Sequence, residues 1–230
     1  MEKLVVLTGS GISAESGLKT FREMGGLWEQ YDVHEVASPQ GWASDMELVC
    51  RFYNERRKQL VEATPNRGHV ELAELEDYFD VQIITQNVDN LHERAGSTNV
   101  LHLHGEIMKA RSTGDPSLIY ELKSWELNPG DKCEKGYQLR PHVVWFGEPV
   151  TLMEAAISIT SKADIFAVIG TSLVVYPAAS LIDYVPANVP IYLIDPNDIP
   201  VPQYRQVEFI REKASIGVPI LKKNLLEEYY

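Results

Sequence analysis

The residues best suited to chemistry lie in two short polar stretches and one glycine turn. His104 follows the apolar run Val100 to Leu103, and Gln86-Asn87-Val88-Asp89-Asn90 follows the run Val81 to Thr85. An imidazole titrates near neutral pH, so His104 could act as a general base toward a hydroxyl. The Asn87 amide could orient a hydroxyl or a water, and the Asp89 carboxylate could accept from an amide N–H. Asn and Asp are also common turn formers, and a histidine at a strand end is often structural. The third stretch runs from Gly9 to Gly17, where Gly9-x-Gly11-x-x-Ala14 fits the dinucleotide-binding pattern G-x-G-x-x-G/A. In that pattern the first glycine permits a tight bend and the second lets backbone approach a pyrophosphate. The third, small residue lets a helix pack on the strand, and the phosphates sit at the helix N-terminus.

These stretches need elements that bring them together. Leu4–Leu7, Val81–Thr85 and Ile165–Ile169 read as strands buried on both faces, and Val100–Leu103, Ile191–Ile194 and Val207–Ile210 read as further strands. Val143–Phe146 is expected to resume the same sheet after an insertion. Gly170-Thr171-Ser172 and Asp195-Pro196-Asn197 also follow strands, and open α/β sheets bind ligands beyond the carboxyl ends of their strands. Helices are expected over about 45–62, with Ser44 and Glu47 as a capping box, and over 69–78, packed through Val70, Leu72, Ala73 and Leu75. Others are expected over 152–162, 178–184 and 216–227. Residues 109–141 are rich in Ser, Gly, Pro, Lys and Asp and read as an inserted module with little regular core, anchored by Leu118, Tyr120, Leu122 and Trp125. Thr20 to Trp28 reads as a glycine-hinged loop able to close over a ligand.

The chain has 230 residues, enough for one α/β domain with a small insertion. A net charge of -12 argues against nucleic acid as a partner. No apolar run is long enough to span a membrane. Cys50 and Cys133 are the two cysteines, without a CxxC spacing. No disulfide framework is implied, and a cytoplasmic location is expected.

One helical face carries a charge. Over 45–62, Val49, Phe52, Tyr53 and Leu60 share a stripe at 3.6 residues per turn, and Arg56 falls in its middle. Arg51, Arg57 and Lys58 are expected to point to solvent. An inward arginine needs a partner, which could be a structural carboxylate or a ligand.

Six ordered motifs carry a resemblance: Gly9 to Gly17, Thr20-Phe21-Arg22, Gln86 to Asp89, His104-Gly105-Glu106, Phe146-Gly147-Glu148 and Gly170-Thr171-Ser172. Over nearly its whole length the chain resembles the sirtuins, NAD-dependent protein lysine deacylases, in their short bacterial form. The resemblance implies an α/β fold: a Rossmann-type parallel sheet forming a large part at about 1–30, 68–108 and 141–230. A small module formed by two insertions would occupy about 31–67 and 109–140 of a single catalytic domain. It implies NAD as co-substrate, an acylated lysine of a protein or peptide as partner, and release of nicotinamide and O-acyl-ADP-ribose. His104, Asn87 and Asp89 would be catalytic. Gly9, Ser10, Gly11, Ile12, Ser13, Glu15, Ser16, Thr20, Phe21, Arg22 and Trp28 would cradle and cover NAD. Gln86, Asn87, Val88, Asp89 and His104 would line its ribose and nicotinamide, and Gly170, Thr171, Ser172, Asp195, Asn197 and Ala214 its phosphate and adenosine side. Val144, Phe146, Gly147, Glu148 and Val174 would flank the peptide as added strands. Tyr53-x-x-Arg56 matches the sirtuins that remove succinyl and malonyl groups, where phenol and guanidinium grip the distal carboxylate.

The departures are Ser10 for a usual alanine, Asp195 for a frequent asparagine, and the missing cysteine pairs. Only Cys133 and His142 stand between His104 and Phe146 as sulfur or imidazole ligands, too few for a closed zinc site, so no zinc is expected. Two other readings of the same sheet are a dehydrogenase and a catalytically silent NAD-binding module. The first lacks a visible acidic residue after a second strand, and His104, Asn87 and Asp89 argue against the second.

Overall fold

The computed structural model describes residues 1–18, 31–201 and 206–230. In chain order these form β1 (Lys3–Thr8), α1 (Gly11–Ala14), α2 (Val33–Val36), α3 (Pro39–Ser44), α4 (Met46–Glu62) and α5 (Arg67–Glu74). There follow a 3-10 helix over Leu75–Asp77, β2 (Asp80–Thr85), α6 (Leu91–Ala95), β3 (Val100–His102), β4 (Gly105–Ser112), β5 (Ile119–Glu121) and β6 (Leu139–Val143). The rest is α7 (Met153–Thr160), β7 (Ile165–Ile169), a 3-10 helix over Ala178–Tyr184, β8 (Ile191–Ile194), β9 (Val207–Ile210) and α8 (Ala214–Tyr229).

Side-chain alternation in β1 explains the continuous apolar runs. Leu4 and Val6 pack on one face with Ile83, Ile165 and the apolar side of α5 and α8. Val5 and Leu7 pack on the other with Ile84, Phe166, Val168 and residues of α7 and the second 3-10 helix. A strand apolar at every position needs both faces covered. The resulting six-stranded parallel sheet has the order β3-β2-β1-β7-β8-β9. Its centre is β1, so the loops after β1, β2 and β7 emerge side by side. The α/β, Rossmann-type reading therefore holds.

Four local expectations are corrected. β6 does not extend the parallel sheet; it pairs antiparallel with β4, which also pairs with β5, in a separate three-stranded sheet. The insertion thus has regular structure, and its buried leucine is Leu127, while Trp125 and Ile119 are exposed. Asp45, not Ser44, caps α4, its carboxylate accepting from Leu48 N at 2.8 Å. α5 starts at Arg67 behind an Asn66–His69 capping box, and Val70 faces solvent.

The largest correction is Arg57. It is 0% exposed rather than solvated. Its guanidinium donates to the carbonyls of Trp125 (2.7 Å) and Ile107 (3.3 Å) and to Asn54 Oδ1. It joins α4 to β4 and to the insertion. A third core there gathers Val49, Phe52, Tyr53 and Leu60 of α4 with Ile107, Val143 and Trp145. No helix among the described residues is long and apolar enough to cross a membrane.

Candidate active site

The first turn and the turn after β7 are packed backbone on backbone. Gly9 N donates to Ile169 O (3.0 Å) and Gly11 N to Gly170 O (2.9 Å). A Cβ on Gly11 would stand 2.7 Å from Gly170 Cα, and one on Gly170, at φ +61°, would stand 2.4 Å from Ile12 N. The glycines are thus required by each other, a reason different from the pyrophosphate approach read from the spacing. α1 is a single turn, so the helix expected behind the glycine motif is short. Ser16 accepts from Asn66 Nδ2 (3.0 Å), and the Glu15 carboxylate accepts from Ser215 N and Oγ, tying this turn to α5 and α8. Thr20, Phe21, Arg22 and Trp28 lie outside the described residues.

The loop after β2 is held against that turn. Asn87 Nδ2 donates to Gly9 O and to Ser13 Oγ, both at 3.1 Å. Ser13 Oγ in turn donates to Asp89 Oδ2 at 3.0 Å, and Leu91 N donates to Asp89 Oδ1. Asn87 and Asp89 are both buried. Burial raises the Asp89 pKa, against the lowering effect of the Leu91 and Ser13 hydrogen bonds and of nearby His102 and Arg56. Gln86 Nε2 donates to Thr171 Oγ1 (3.0 Å), linking the β2 and β7 loops.

His104 leaves the end of β3 and places Nδ1 2.9 Å from the Gln86 carbonyl. A carbonyl only accepts, so Nδ1 carries the hydrogen and Nε2 presents a lone pair. Burial lowers the His104 pKa and the Gln86 carbonyl partly opposes it, so the neutral, basic form persists below the ordinary histidine range.

Beyond β8, Asp195 Oδ1 accepts from Asn197 N (2.9 Å) and Nδ2 (3.0 Å), an Asx turn that fixes the carboxylate at the strand end. Ala214 is buried at the start of α8, and a Cβ on Gly68 would meet its backbone at 3.1 Å.

Tyr53 and Arg56 both come from α4. Tyr53 is buried, and its hydroxyl accepts from Trp145 Nε1 at 2.9 Å. Burial pushes the phenol up to about 12, so it stays protonated and keeps a hydrogen to donate. The Arg56 guanidinium lies 5.7 Å from the Phe52 ring centroid, and burial lowers its pKa while Tyr53 and Asp89 favour its charge.

Around Phe146 several polar groups are bonded within the chain. Glu148 accepts from Arg140 Nη1 (2.6 Å), Arg111 Nη2 (3.1 Å) and Trp145 N (2.8 Å), a clasp inside the fold. Val144 N donates to His104 O and Phe146 N to Ala37 O, so these two N–H groups are taken by the chain itself. Phe146 and Val174 are nonetheless both about half exposed, at 48% and 47%. Two open clefts, of ≈ 410 Å³ beside Arg67 and Lys222 and ≈ 470 Å³ beside Cys50 and Trp125, lie away from all of these residues.

The glycine turn, the amide–carboxylate loop and the histidine therefore meet at one end of the sheet. Residues 9–177 match the Sir2 family model. The chain belongs to the Sir2 family. It is 55% identical to an NAD-dependent protein deacylase of Bacteroides thetaiotaomicron, over 98% of this chain and 99% of that one. It is 51% identical to one of Helicobacter pylori, over 99% and 97%. Among solved structures it is similar to a Sir2 homolog–NAD complex, with 42% identity, a TM-score of 0.89, and coverage of 98% and 90% of the two chains. It is also similar to a Sir2 protein bound to a deacetylated p53 peptide and 3'-O-acetyl ADP-ribose, with 29% identity, a TM-score of 0.77, and coverage of 98% and 93%.

Reading by residue type missed a set of buried polar groups behind the site. Thr8 Oγ1 donates to Thr85 Oγ1 (2.8 Å), and His92 Nε2 lies 3.1 Å from Thr8 Oγ1. His69 stacks edge-on to His92 at 4.9 Å. Burial holds His69 near 4 and His92 well below its ordinary value, so both are neutral. His102 lies two residues before His104, a spacing that puts both on one face of an extended chain and that could have drawn notice.

Proposed function

We propose that the strand-end cluster carries out NAD-dependent removal of acyl groups from protein lysines, with His104 as general base. The chain is an NAD-dependent protein deacylase of the Sir2 family. The observation that carries the site assignment is the His104 Nδ1–Gln86 carbonyl bond of 2.9 Å, which leaves Nε2 to take a proton from a hydroxyl. NAD, when bound, supplies the ADP-ribose that accepts the acyl group as nicotinamide leaves. The donor set suits such a polyhydroxylated, amide-bearing molecule. The Asn87–Ser13–Asp89 relay fixes an amide and a carboxylate, Gln86 and Thr171 are cross-linked, and Asp195 is oriented by Asn197. Phe146 and Val174 are exposed apolar side chains, which supports a role in meeting an acylated lysine peptide.

The acyl group this site favours is an acidic one. Tyr53 accepts from Trp145 and retains its own hydrogen, and Arg56 lies one turn further along the same helix. A succinyl or malonyl carboxylate would receive a charge-assisted pair of donors, worth roughly 1.5–3 kcal/mol per bond. A second reading has Arg56 as a structural cation balanced by Asp89, which favours its charge. Arg56→Met separates them. Selective loss on succinyl-lysine peptide, with acetyl-lysine turnover little changed, supports the acidic-acyl reading; equal losses make Arg56 structural. Nicotinamide release that depends on added acyl peptide tests the deacylase assignment itself.

We further infer that the small module holds no zinc. Its remaining cysteine, Cys133, donates to Ser112 Oγ at 3.3 Å, and no group of three or more His, Cys, Asp or Glu side chains among the described residues is placed to hold a metal. Arg57 and the Glu148–Arg140–Arg111 clasp supply cross-links there.

A further inference from the structure

We propose that His102, held as an imidazolium between Glu93 and the Asn87 carbonyl, is a positioning residue for deacylation whose deprotonation loosens the catalytic loop. His102 Nε2 stands 2.6 Å from Glu93 Oε1, and Nδ1 stands 3.1 Å from Asn87 O. A carboxylate and a carbonyl are both acceptors, so both ring nitrogens must carry hydrogens for the two bonds to exist. A neutral imidazole has one hydrogen and can make only one of them.

What His102 holds matters for the chemistry. Successive carbonyls of the loop are pinned in turn: Gln86 O by His104, Asn87 O by His102 and Val88 O by Ile107 N at 2.8 Å. His102 ends β3 and His104 follows in the turn before β4, and their rings hold the carbonyls of neighbouring residues. The same short loop therefore carries the support of the general base and the carbonyl that His102 holds. Releasing Asn87 O would free the Asn87–Val88 peptide to rotate, directly beside the peptide whose Gln86 carbonyl orients the His104 ring.

The groups facing His102 decide its charge. Burial disfavours the imidazolium, but the Glu93 carboxylate on α6, the Asn87 carbonyl and Glu106 on β4 outweigh it, and the pKa is raised. Asp89 is also near and is itself favoured as an anion by His102. His92 on α6 is buried and uncharged, and His102 helps keep it so. Glu93 on α6 is held ionised against its burial chiefly by its hydrogen bond with His102, with a smaller contribution from Lys109 on β4. A histidine raised in the folded state gives its contribution in full below the ordinary histidine pKa and loses it as pH rises through the folded value. Two histidines thus bound activity from opposite sides: His104 must be neutral, which sets the acid limb, and His102 must be protonated, which sets the alkaline limb. This holds whatever the acyl group.

The test is the pH dependence of kcat on an acetyl-lysine peptide at saturating NAD, in the full chain. Glu93→Gln should move the alkaline limb to lower pH and leave the acid limb in place. His102→Gln, whose amide donates from a single nitrogen and does not titrate, should abolish that limb and lower the plateau by up to about 10²-fold, the scale of a small misplacement of a catalytic group. Nitrogen-15 NMR of the wild-type protein should show both His102 ring nitrogens protonated at neutral pH. An unmoved alkaline limb in Glu93→Gln, or a neutral His102 by NMR at neutral pH, would overturn the proposal. The NMR arm uses unmodified protein, so it decides the matter even if a variant does not fold.

Discussion

Arg57→Leu is predicted to destabilise the protein by about 2–5 kcal/mol. The side chain is fully buried, and leucine fills its stem but donates nothing. Asn54 Oδ1 keeps a partner, because Leu127 N donates to it at 3.0 Å. The carbonyls of Trp125 and Ile107 lose their guanidinium donors. A fully buried acceptor left without a partner costs about 1–3 kcal/mol, so the buried Ile107 and part-buried Trp125 carbonyls give at most about 2–6. Leucine also removes the cost of burying a charge, which holds the Arg57 pKa down to about 10 and trims the upper end. Against a total stability of about 5–15 kcal/mol that is a large loss. Urea unfolding of wild type, Arg57→Leu and Arg51→Leu measures it. Arg51 is exposed, and its variant should stay within about 0.5 kcal/mol. A loss below about 1 kcal/mol in Arg57→Leu, or one no larger than in Arg51→Leu, would refute the view that this guanidinium ties α4 to the insertion.

Other outcomes follow from the site. His104→Ala should cut turnover by about 10²–10⁴-fold while NAD binding, followed by calorimetry, survives; near-normal turnover would remove His104 from the mechanism. Since burial lowers the His104 pKa, the acid limb of wild-type kcat should lie below the ordinary histidine value, and a limb above it would contradict the geometry. Gly170→Ala puts a methyl 2.4 Å from Ile12 N at a φ of +61° and should abolish NAD binding or folding, read by calorimetry and circular dichroism. Purified protein should contain no stoichiometric zinc by elemental analysis and keep its Tm with a chelator present; a metal-dependent Tm would show that the module needs a ligand set beyond Cys133.

Neighbouring arginines show how far sequence reading reached. Periodicity placed Arg56 on the inner stripe of α4 and Arg57 outside it. A helix places a side chain within about a hundred degrees of arc, but what lies opposite that arc is set by other segments. Here residues near Trp125, some seventy positions away, fold over α4, so the side expected to be solvated is covered. The cap of the same helix went to Asp45 rather than Ser44 because either residue type suits the position, and backbone angles choose between them.

The sequence by itself determined the layers and the polar strand ends. An apolar run is a local property, and burying both faces of such a strand permits few architectures, so β1, β2, β7 and β8 and the residues beyond them were legible. His104, Asn87 and Asp89 stood out because their types and places at strand ends are local too. Tertiary structure alone decided what those residues touch. That Val143 ends a second sheet, that Glu148 is clasped by Arg140 and Arg111, and that His102 spans Glu93 and Asn87 all depend on partners brought together across the chain. Hydrogen bonds act over about 3 Å and charges over about 10 Å, so their partners are fixed only once the sheet has set the distances.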